Sequence, residues 1–154
     1  MSQDQTSVTG GELVARTLKA AGVKKVFALH GGHLEALFKG CIDNDISLID
    51  FRHESSAGHA ADAYARINGI GAICVTWGVG GFSAMNAVAG AYAEQVPLVV
   101  LVGVPRTTQL RASMLLHHSV GNFSTMRRAY SHITVASVLL DDAGEAPRRI
   151  DYAL

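Results

Sequence analysis

The sequence has no excess of charge of either sign, because its thirteen Lys and Arg residues balance thirteen Asp and Glu residues. It also has no basic stripe or acidic tail, which argues against nucleic acid or a charged membrane surface as a partner. Long apolar runs are missing too. The longest, near residues 98–104, is too short to span a bilayer, and the first eleven residues show no basic-then-apolar signal. We therefore expect no membrane segment.

Cysteine is scarce, since the chain has only Cys41 and Cys74. The first falls inside a predicted helix and the second inside a predicted strand. We expect both to be reduced thiols of the core, rather than members of a disulfide framework. Such use of cysteine is typical of a cytoplasmic protein.

Apolar side chains and glycine, by contrast, are abundant: 49% of the residues are hydrophobic and sixteen of the 154 are Gly. This length suits one domain with its own core. Apolar runs that are typical of strands occur at 25–29, 46–51, 70–77, 97–103 and 133–139, and they alternate with helical patterns. This alternation predicts an α/β fold with a doubly wound, mostly parallel sheet of about five to six strands and helices on both faces.

The helices are predicted from capping residues and apolar periodicity. Thr9 and Glu12 form a capping box, and Gly22 ends the helix that follows. Further helices are expected up to about residue 43, from an N-cap at Ser55 or Ser56 to residue 68, from 83 to about 95, from 123 to 130 and from 145 onward. Residues 104–121 look irregular. The last helix stops without a cap, so we expect the chain to be cut at a domain edge.

The stretch 46–68 carries the first residue with a chemical role. Its strand is apolar at positions 46, 48, 49 and 51, as in a strand covered on both faces, and Glu54 follows near the carboxyl end. Open α/β sheets place ligand chemistry at that edge. Two interpretations stay open: Glu54 binds a ligand, or it caps the next helix or pairs with Arg52. That helix has a face of small side chains, which lets another helix or a second subunit approach closely: Ala57, Ala60, Ala61, Tyr64 and Ala65.

The segment RHESSAGHAADAYAR at residues 52–66 resembles the pyrimidine-binding (PYR) domain of thiamine-diphosphate enzymes, and the resemblance extends from Thr9 to Leu154. The group includes acetolactate synthases, 2-oxo acid decarboxylases and benzaldehyde lyase. The resemblance implies that Glu54 hydrogen-bonds N1′ of the aminopyrimidine and favours the imino tautomer, which generates the reactive ylid. An acid in this role has to share its proton near neutral pH.

Two histidine motifs add to the resemblance. FALHGGH at 27–33 is similar to the first turn of benzaldehyde lyase, so His33 would relay protons at the substrate and His30 would lie beside the cofactor. LLHHSVGN at 115–122 is similar to the two-histidine motif of pyruvate-type decarboxylases, which implies that His117 and His118 orient the substrate carboxyl group and move protons. In related decarboxylases an aspartate stands where this chain has Gly32, which argues against straightforward decarboxylation.

The residues alone also allow other assignments for these histidines. A loop histidine is more often solvated or hydrogen-bonded than catalytic. A Zn²⁺ site built from the four histidines of the two motifs is not favoured, since no cysteine or carboxylate stands at ligand spacing beside them. We therefore assign no metal-ligating residue.

The segment TWGVGGFS at 76–83 resembles the decarboxylase version of the third strand and its turn. The resemblance implies that Thr76 and Gly78 line the pyrimidine, whereas Trp77 is expected in the core. The glycine spacing also half-matches the dinucleotide fingerprint, with Ser83 in the third position and Arg106 available for a 2′-phosphate. An NADP- or other nucleotide-binding Rossmann-like domain is therefore an alternative, as is a non-catalytic interaction module of the same fold.

The resemblance also implies further domains. Residues 1–154 would be the PYR domain alone, without the central domain and without the domain that holds Mg²⁺ and the diphosphate through a Gly-Asp-Gly…Asn pattern, which does not occur here. We expect an inactive isolated chain that acts with a diphosphate-binding domain or subunit, in a homodimer or homotetramer. The whole enzyme would use thiamine diphosphate to cleave or form C–C bonds next to the carbonyl of a small substrate. It would be a 2-oxo acid decarboxylase, or a carboligase like benzaldehyde lyase or acetolactate synthase.

Overall fold

The computed structural model describes residues 7–110 and 116–154. Its sheet has four parallel strands in the order β2-β1-β3-β4: β1 Lys25–Ala28, β2 Ser47–Asp50, β3 Gly71–Thr76 and β4 Leu98–Gly103. The helices are α1 Gly10–Ala20, α2 Glu35–Asp43, α3 Glu54–Asn68, α4 Val79–Ala93, α5 Thr107–Leu110, α6 Thr125–Tyr130 and α7 Ala146–Ala153. The predicted α/β class with a doubly wound parallel sheet is confirmed. No helix in the described ranges is both long and apolar enough to cross a membrane.

The sheet separates two apolar cores, because successive residues of a strand point to opposite faces. In β1, Val26 and Ala28 pack against α1 and α2, whereas Phe27 packs against α3 and α4. The edge strand β2 follows the same rule, since Leu48 joins the first core and Ile49 the second. Both of its faces are covered, as predicted, although its apolar side chains are only half-buried.

The two cysteines lie fully buried in the first core and carry free thiols, which confirms the expectation of reduced core residues. Burial raises the pKa of the Cys41 thiol to about 11. Burial and the neighbouring Cys41 also raise the pKa of Cys74. Both groups are therefore protonated and weakly nucleophilic at neutral pH.

Helix α4 of the same chain packs closely on α3, at a glycine that the predicted small-residue face does not include. A Cβ placed on Gly58 would lie only 2.6 Å from the Cβ of Ala87. Tyr64, a member of the predicted face, packs on the sheet: its ring lies 5.5 Å from the ring of Phe27 in β1. The α3–α4 contact fixes where the first residues of both helices lie.

Two predicted helix starts are wrong. Helix α3 begins at Glu54, and its N-cap is His53, whose Nδ1 accepts a hydrogen bond from the Ser55 backbone N–H at 3.2 Å. Helix α4 begins at Val79, four residues before the predicted start, directly after Gly78 with φ +64°. The prediction missed His53 because histidine is not among the residues that are preferred at helix N-caps. The left-handed glycine lets the chain turn at once into a helix. The helix start predicted at Thr9 is confirmed, since its hydroxyl accepts from the Glu12 backbone N–H.

The predicted strand at 133–139 is also wrong, so the described part of the chain has a sheet of four strands rather than five to six. These residues instead line an apolar cavity of about 950 Å³ beside β4, opposite Val100 and Val102. An apolar, β-branched run is typical of a strand, but the run alone does not predict whether it pairs with another strand.

Candidate functional site

The order of the strands opens a crevice at the carboxyl edge of the sheet. The chain leaves β1 to form β2 on one side and then returns to form β3 on the other side of β1. The loops after β1 and β3 therefore diverge, and such a switch point is where open α/β sheets bind ligands. Five of the predicted site residues lie at this edge: Thr76 is the last residue of β3, and His30, His33, Glu54 and Gly78 follow strands.

The turn from β3 into α4 lies at the centre of this edge, and we call residues 77–81 (WGVGG) the elbow. Its three glycines are buried, and each is pressed against a different part of the chain. A Cβ on Gly78 would overlap the carbonyl oxygen of His118, and a Cβ on Gly81 would overlap the sulfur of Met126. These positions need glycine because neighbouring groups occupy the space of a side chain.

Glu54 meets the elbow at its remaining glycine. A Cβ on Gly80 would lie 3.3 Å from Oε1 of Glu54 and 2.8 Å from Cγ2 of Thr76. Glu54 is half-buried, and no ion pair in the described ranges involves it. Since His53 caps helix α3, the Glu54 carboxylate is not needed as a cap. The geometry leaves this carboxylate beside Thr76 and available to a ligand, although it keeps a favourable place at the helix N-terminus.

His117 and His118 approach the elbow from the segment before α6, and we call residues 116–124 the histidine loop. The two rings lie 3.8 Å apart in an edge-on arrangement. His117 is exposed, whereas His118 is half-buried in a left-handed backbone conformation with φ +70°. Nδ1 of His118 is buried and has no hydrogen-bond partner among the described residues. A strained backbone and an unpaired buried nitrogen are costly, and both are found most often at functional sites.

Further contacts join the histidine loop and α6 to the elbow. The Trp77 ring, which is 5% exposed, stacks on Phe123 with 5.4 Å between the ring centres. The Tyr130 hydroxyl at the end of α6 donates a 2.7 Å hydrogen bond to the carbonyl oxygen of Gly81. The elbow therefore contacts Glu54 on one side and the histidine loop on the other, which brings the predicted cofactor acid and the predicted substrate histidines to one place.

The turn after β1, residues 30–33 (HGGH), crosses the tips of β3 and β4. A Cβ on Gly31 would lie 2.8 Å from the Cβ of Thr76, and a Cβ on Gly103 would lie 2.5 Å from Cδ2 of the buried Leu34. These contacts hold the two ends of the turn against the sheet. Thr76 is thus enclosed between Gly31 and Gly80.

The predicted site residues of this turn are more open than those of the elbow. His30, Gly32 and His33 are exposed, and the His30 ring lies 5.4 Å from the ring of Phe38. Across 7–110 and 116–154, no group of three or more His, Cys, Asp or Glu side chains is arranged to hold a metal ion. The structure therefore places His30 and His33 at the same edge of the sheet as Glu54, exposed and without the buried ring nitrogen of His118.

The elbow also explains the half-match to the dinucleotide fingerprint. Gly78 and Gly80 approach His118, Thr76 and Glu54, so the space above these glycines is filled by the protein's own groups. In a dinucleotide-binding turn that space admits a pyrophosphate. The glycine spacing of this chain is therefore explained by contacts within the chain, rather than by space for a pyrophosphate.

Four contributors to the site were missed at the level of sequence: Gly80, Gly81, Phe123 and Tyr130. Three glycines within five residues were a usable signal for close contacts. Nothing in the local sequence pairs Tyr130 with Gly81, since the two are 49 residues apart.

Comparison with known proteins identifies the family. Residues 8–126 match the family described as thiamine pyrophosphate enzyme, N-terminal TPP binding domain. The chain is 39% identical to pyruvate decarboxylase 1 of Arabidopsis thaliana over 95% of its own length and 24% of the relative's. It is 39% identical to a probable pyruvate decarboxylase of Schizosaccharomyces pombe, over 99% and 27%. With the indole-3-pyruvate decarboxylase of Azospirillum brasilense it shares 41% identity, over 93% and 27%.

The chain thus spans about a quarter of the length of the curated relatives it matches. The matches confirm the resemblance seen in the sequence, and they do not favour a nucleotide-binding domain or a non-catalytic module. Together with the placement of Glu54 at the elbow, they lead to one conclusion: the chain belongs to the thiamine pyrophosphate enzymes and corresponds to their N-terminal, cofactor-binding domain.

Proposed function

We propose that this chain is the PYR domain of an enzyme that uses thiamine diphosphate to act on 2-oxo acids, and that Glu54 is the acid that activates the cofactor. The observation that carries the proposal is the half-buried Glu54 carboxylate, which lies against Gly80 and Thr76 at the switch point of the sheet. The substrate class is supported by relatives that are named as decarboxylases of pyruvate and indole-3-pyruvate.

The residues at the elbow fit a flat heteroaromatic ring. A Cβ at residue 80 would take up space next to the Glu54 carboxylate, so glycine keeps that space clear. Thr76 adds a methyl group and a hydroxyl at the same point. We assign Glu54 to a ring nitrogen, Thr76 and Gly78 to the wall of the ring, and His30 to the side of the cofactor.

When bound, thiamine diphosphate supplies the nucleophilic carbon that attacks a carbonyl group. Glu54 holds and shares the proton at the ring nitrogen. His117 and His118 bind the substrate carboxylate and move protons, for which two neighbouring imidazoles offer both donors and acceptors. The enclosed His118 orients the substrate, and the exposed His117 exchanges protons with solvent. His33 relays protons from the opposite rim of the crevice.

The proposal includes partners outside this chain. We place Mg²⁺ and the diphosphate in a diphosphate-binding domain or subunit of the same enzyme, since the sequence has no Gly-Asp-Gly pattern and covers about a quarter of its relatives. Residues 1–154 would form the PYR domain of a homodimer or homotetramer in the cytoplasm, and this domain would be inactive by itself.

A second candidate reaction is carboligation, as in acetolactate synthases or benzaldehyde lyase. It is favoured by Gly32, an exposed position of the turn after β1 where a Cβ would meet no atom within 4 Å. An acid at this position would reach the crevice rim, and the chain has none there. Without it, proton delivery after loss of CO₂ would depend on the histidines alone.

The test is an assay of the whole enzyme with pyruvate and with indole-3-pyruvate, in the presence and absence of thiamine diphosphate and Mg²⁺. We expect consumption of the 2-oxo acid only with the cofactor. Released CO₂ and aldehyde would identify decarboxylation, and acyloin would identify carboligation. Cofactor-independent turnover, or NADP binding by calorimetry without any 2-oxo acid consumption, would overturn the proposal.

A further inference from the structure

Helix α6 is docked on the elbow by two contacts to a single residue, Gly81. The Tyr130 hydroxyl donates to its carbonyl oxygen at 2.7 Å, and Met126 packs where its side chain would be. Both side chains are buried, at 5% and 8% exposure. Burial also raises the pKa of the Tyr130 hydroxyl, so it stays a hydrogen-bond donor at any ordinary pH.

The histidine loop precedes this docked helix and rests on the same elbow. Phe123 stacks on Trp77, and the carbonyl oxygen of His118 packs against Gly78. The loop has its own turn, in which the Ser119 backbone N–H donates to the carbonyl oxygen of Leu116 at 3.0 Å. That bond shapes the loop, whereas its place over the elbow depends on the contacts with residues 77–81.

His118 is the residue for which this placement matters most. Its left-handed backbone is unfavourable, and so is its buried Nδ1, which has no partner within 7–110 and 116–154; such arrangements persist only where the surroundings hold them. Glu54 contacts the elbow from the other side, at Gly80. A shift of α6 would therefore move His118 relative to Glu54 while leaving Glu54 and Thr76 in place.

We propose that Tyr130 is a positioning residue: its hydrogen bond to Gly81 ties α6 to the elbow and so sets where the histidine loop lies with respect to Glu54. The inference rests on the proposed function, because it gives His118 a task in turnover. Tyr130 contacts the elbow at Gly81, whereas Glu54 contacts it at Gly80, so we expect loss of Tyr130 to leave cofactor binding unchanged. Its effect is on the histidines alone.

The experiment changes each partner of the Tyr130–Gly81 contact in turn, in the whole enzyme. Tyr130→Phe removes the hydroxyl, and Gly81→Ala adds a methyl group where Met126 packs. The matched controls are Tyr92→Phe and Gly90→Ala, on the same helix α4. Tyr92 is 47% exposed, and a Cβ on Gly90 would meet no atom within 4 Å. Hydrogen–deuterium exchange of peptides covering 116–124 reports the loop, and steady-state kinetics report its function.

We expect faster exchange of the histidine loop and about tenfold lower kcat in Tyr130→Phe, because small misplacements of catalytic groups are costly. Half-saturation by thiamine diphosphate should stay within about twofold, since Glu54 and Thr76 do not move; a loss of overall stability would affect both quantities. Gly81→Ala should likewise lower kcat while leaving half-saturation by thiamine diphosphate nearly unchanged. Tyr92→Phe and Gly90→Ala should behave like the unmodified enzyme.

Unchanged exchange of 116–124 in both Tyr130→Phe and Gly81→Ala would overturn the proposal. So would faster exchange with unchanged kcat, since the anchor would then have no effect on turnover. If the unmodified enzyme consumes no 2-oxo acid, the proposed function fails instead, and exchange in the two variants still decides whether Tyr130 anchors the loop.

Discussion

Two glycine-containing turns, HGGH after β1 and WGVGG after β3, lie side by side at the carboxyl edge of the sheet, and they are built in opposite ways. In the elbow all three glycines are buried and closely contacted by other parts of the chain. In HGGH, Gly31 is packed on Thr76, but Gly32 and both histidines are exposed. We call the packed elbow, together with Glu54 and His118 that contact it, the platform, and we call the open HGGH turn the rim.

The difference teaches what each turn can contribute. Groups that require fixed geometry lie on the platform, where Glu54 and His118 are held by contacts with Gly80 and Gly78. Residues in the middle of the HGGH turn can vary without disturbing the sheet, since only the two ends of the turn pack against it. We therefore expect substitutions at the platform to have large effects and substitutions at the rim to have small ones.

The largest effect is expected for Glu54→Gln, which keeps the shape of the side chain but removes its ability to give and take a proton. Turnover of the whole enzyme should fall about 10²- to 10⁴-fold, the usual contribution of one acid–base group. The matched control is Glu35→Gln, because Glu35 is the first residue of α2 as Glu54 is of α3, yet it is exposed. Near-normal kcat in Glu54→Gln would rule out the assigned role.

The second effect compares a histidine of the platform with one of the rim. His118→Ala should lower kcat with 2-oxo acids about 10²-fold, at the lower end of acid–base contributions. His33→Ala should lower it less, because an exposed side chain is more easily replaced by water. Steady-state assays check both, with the exposed His132→Ala as control. If His117→Ala and His118→Ala both retain full turnover, the likeness to decarboxylases is only structural.

The third effect concerns stability and contrasts one glycine from each turn. Gly78→Ala should lower the free energy of unfolding by at least about 2 kcal/mol, since φ is +64° and the new Cβ would overlap the His118 carbonyl. Gly32→Ala should leave it unchanged within about 0.5 kcal/mol, or raise it slightly. Urea unfolding measures both. Equal losses would remove the distinction between platform and rim.

The smallest effect is expected for Gly32→Asp, which introduces the acid that the resemblance to decarboxylases implies at this position. The position is open, so the variant should fold normally and keep its melting temperature. The ratio of CO₂ released to acyloin formed should rise by less than about tenfold, because an exposed carboxylate is only loosely oriented. A fall in this ratio would show that the missing acid does not limit decarboxylation.

Most of the secondary structure was predictable because its signals are local. The four strands that form were predicted to within two residues at each end, since each is a short apolar run followed by a change of pattern. The N-cap at Thr9 was equally readable, although the Glu12 side chain accepts hydrogen bonds from Arg16 and Asn44 rather than completing a capping box. The run at 133–139 misled the prediction, because an apolar, β-branched run does not by itself require pairing with a strand; these residues line a cavity beside β4, and Val135 is 93% exposed.

The site was predictable only in part. Glu54, Thr76 and Gly78 could be assigned to one edge because parallel strands bring their carboxyl ends together. The different enclosure of His118 and His33 could not be predicted, as both are loop histidines in recognisable motifs. The close contacts of Gly80 and Gly81 were likewise not assigned.

The sequence by itself determined the α/β alternation, the edge at which the chemistry lies and the family, because each depends on residues that are neighbours in the chain or on short motifs. The tertiary structure alone decided that the elbow joins Glu54 to the histidine loop and that Tyr130 holds α6 to Gly81. Those contacts connect residues far apart in sequence. They depend on how tightly two helices and a loop pack on one turn, which no local pattern records.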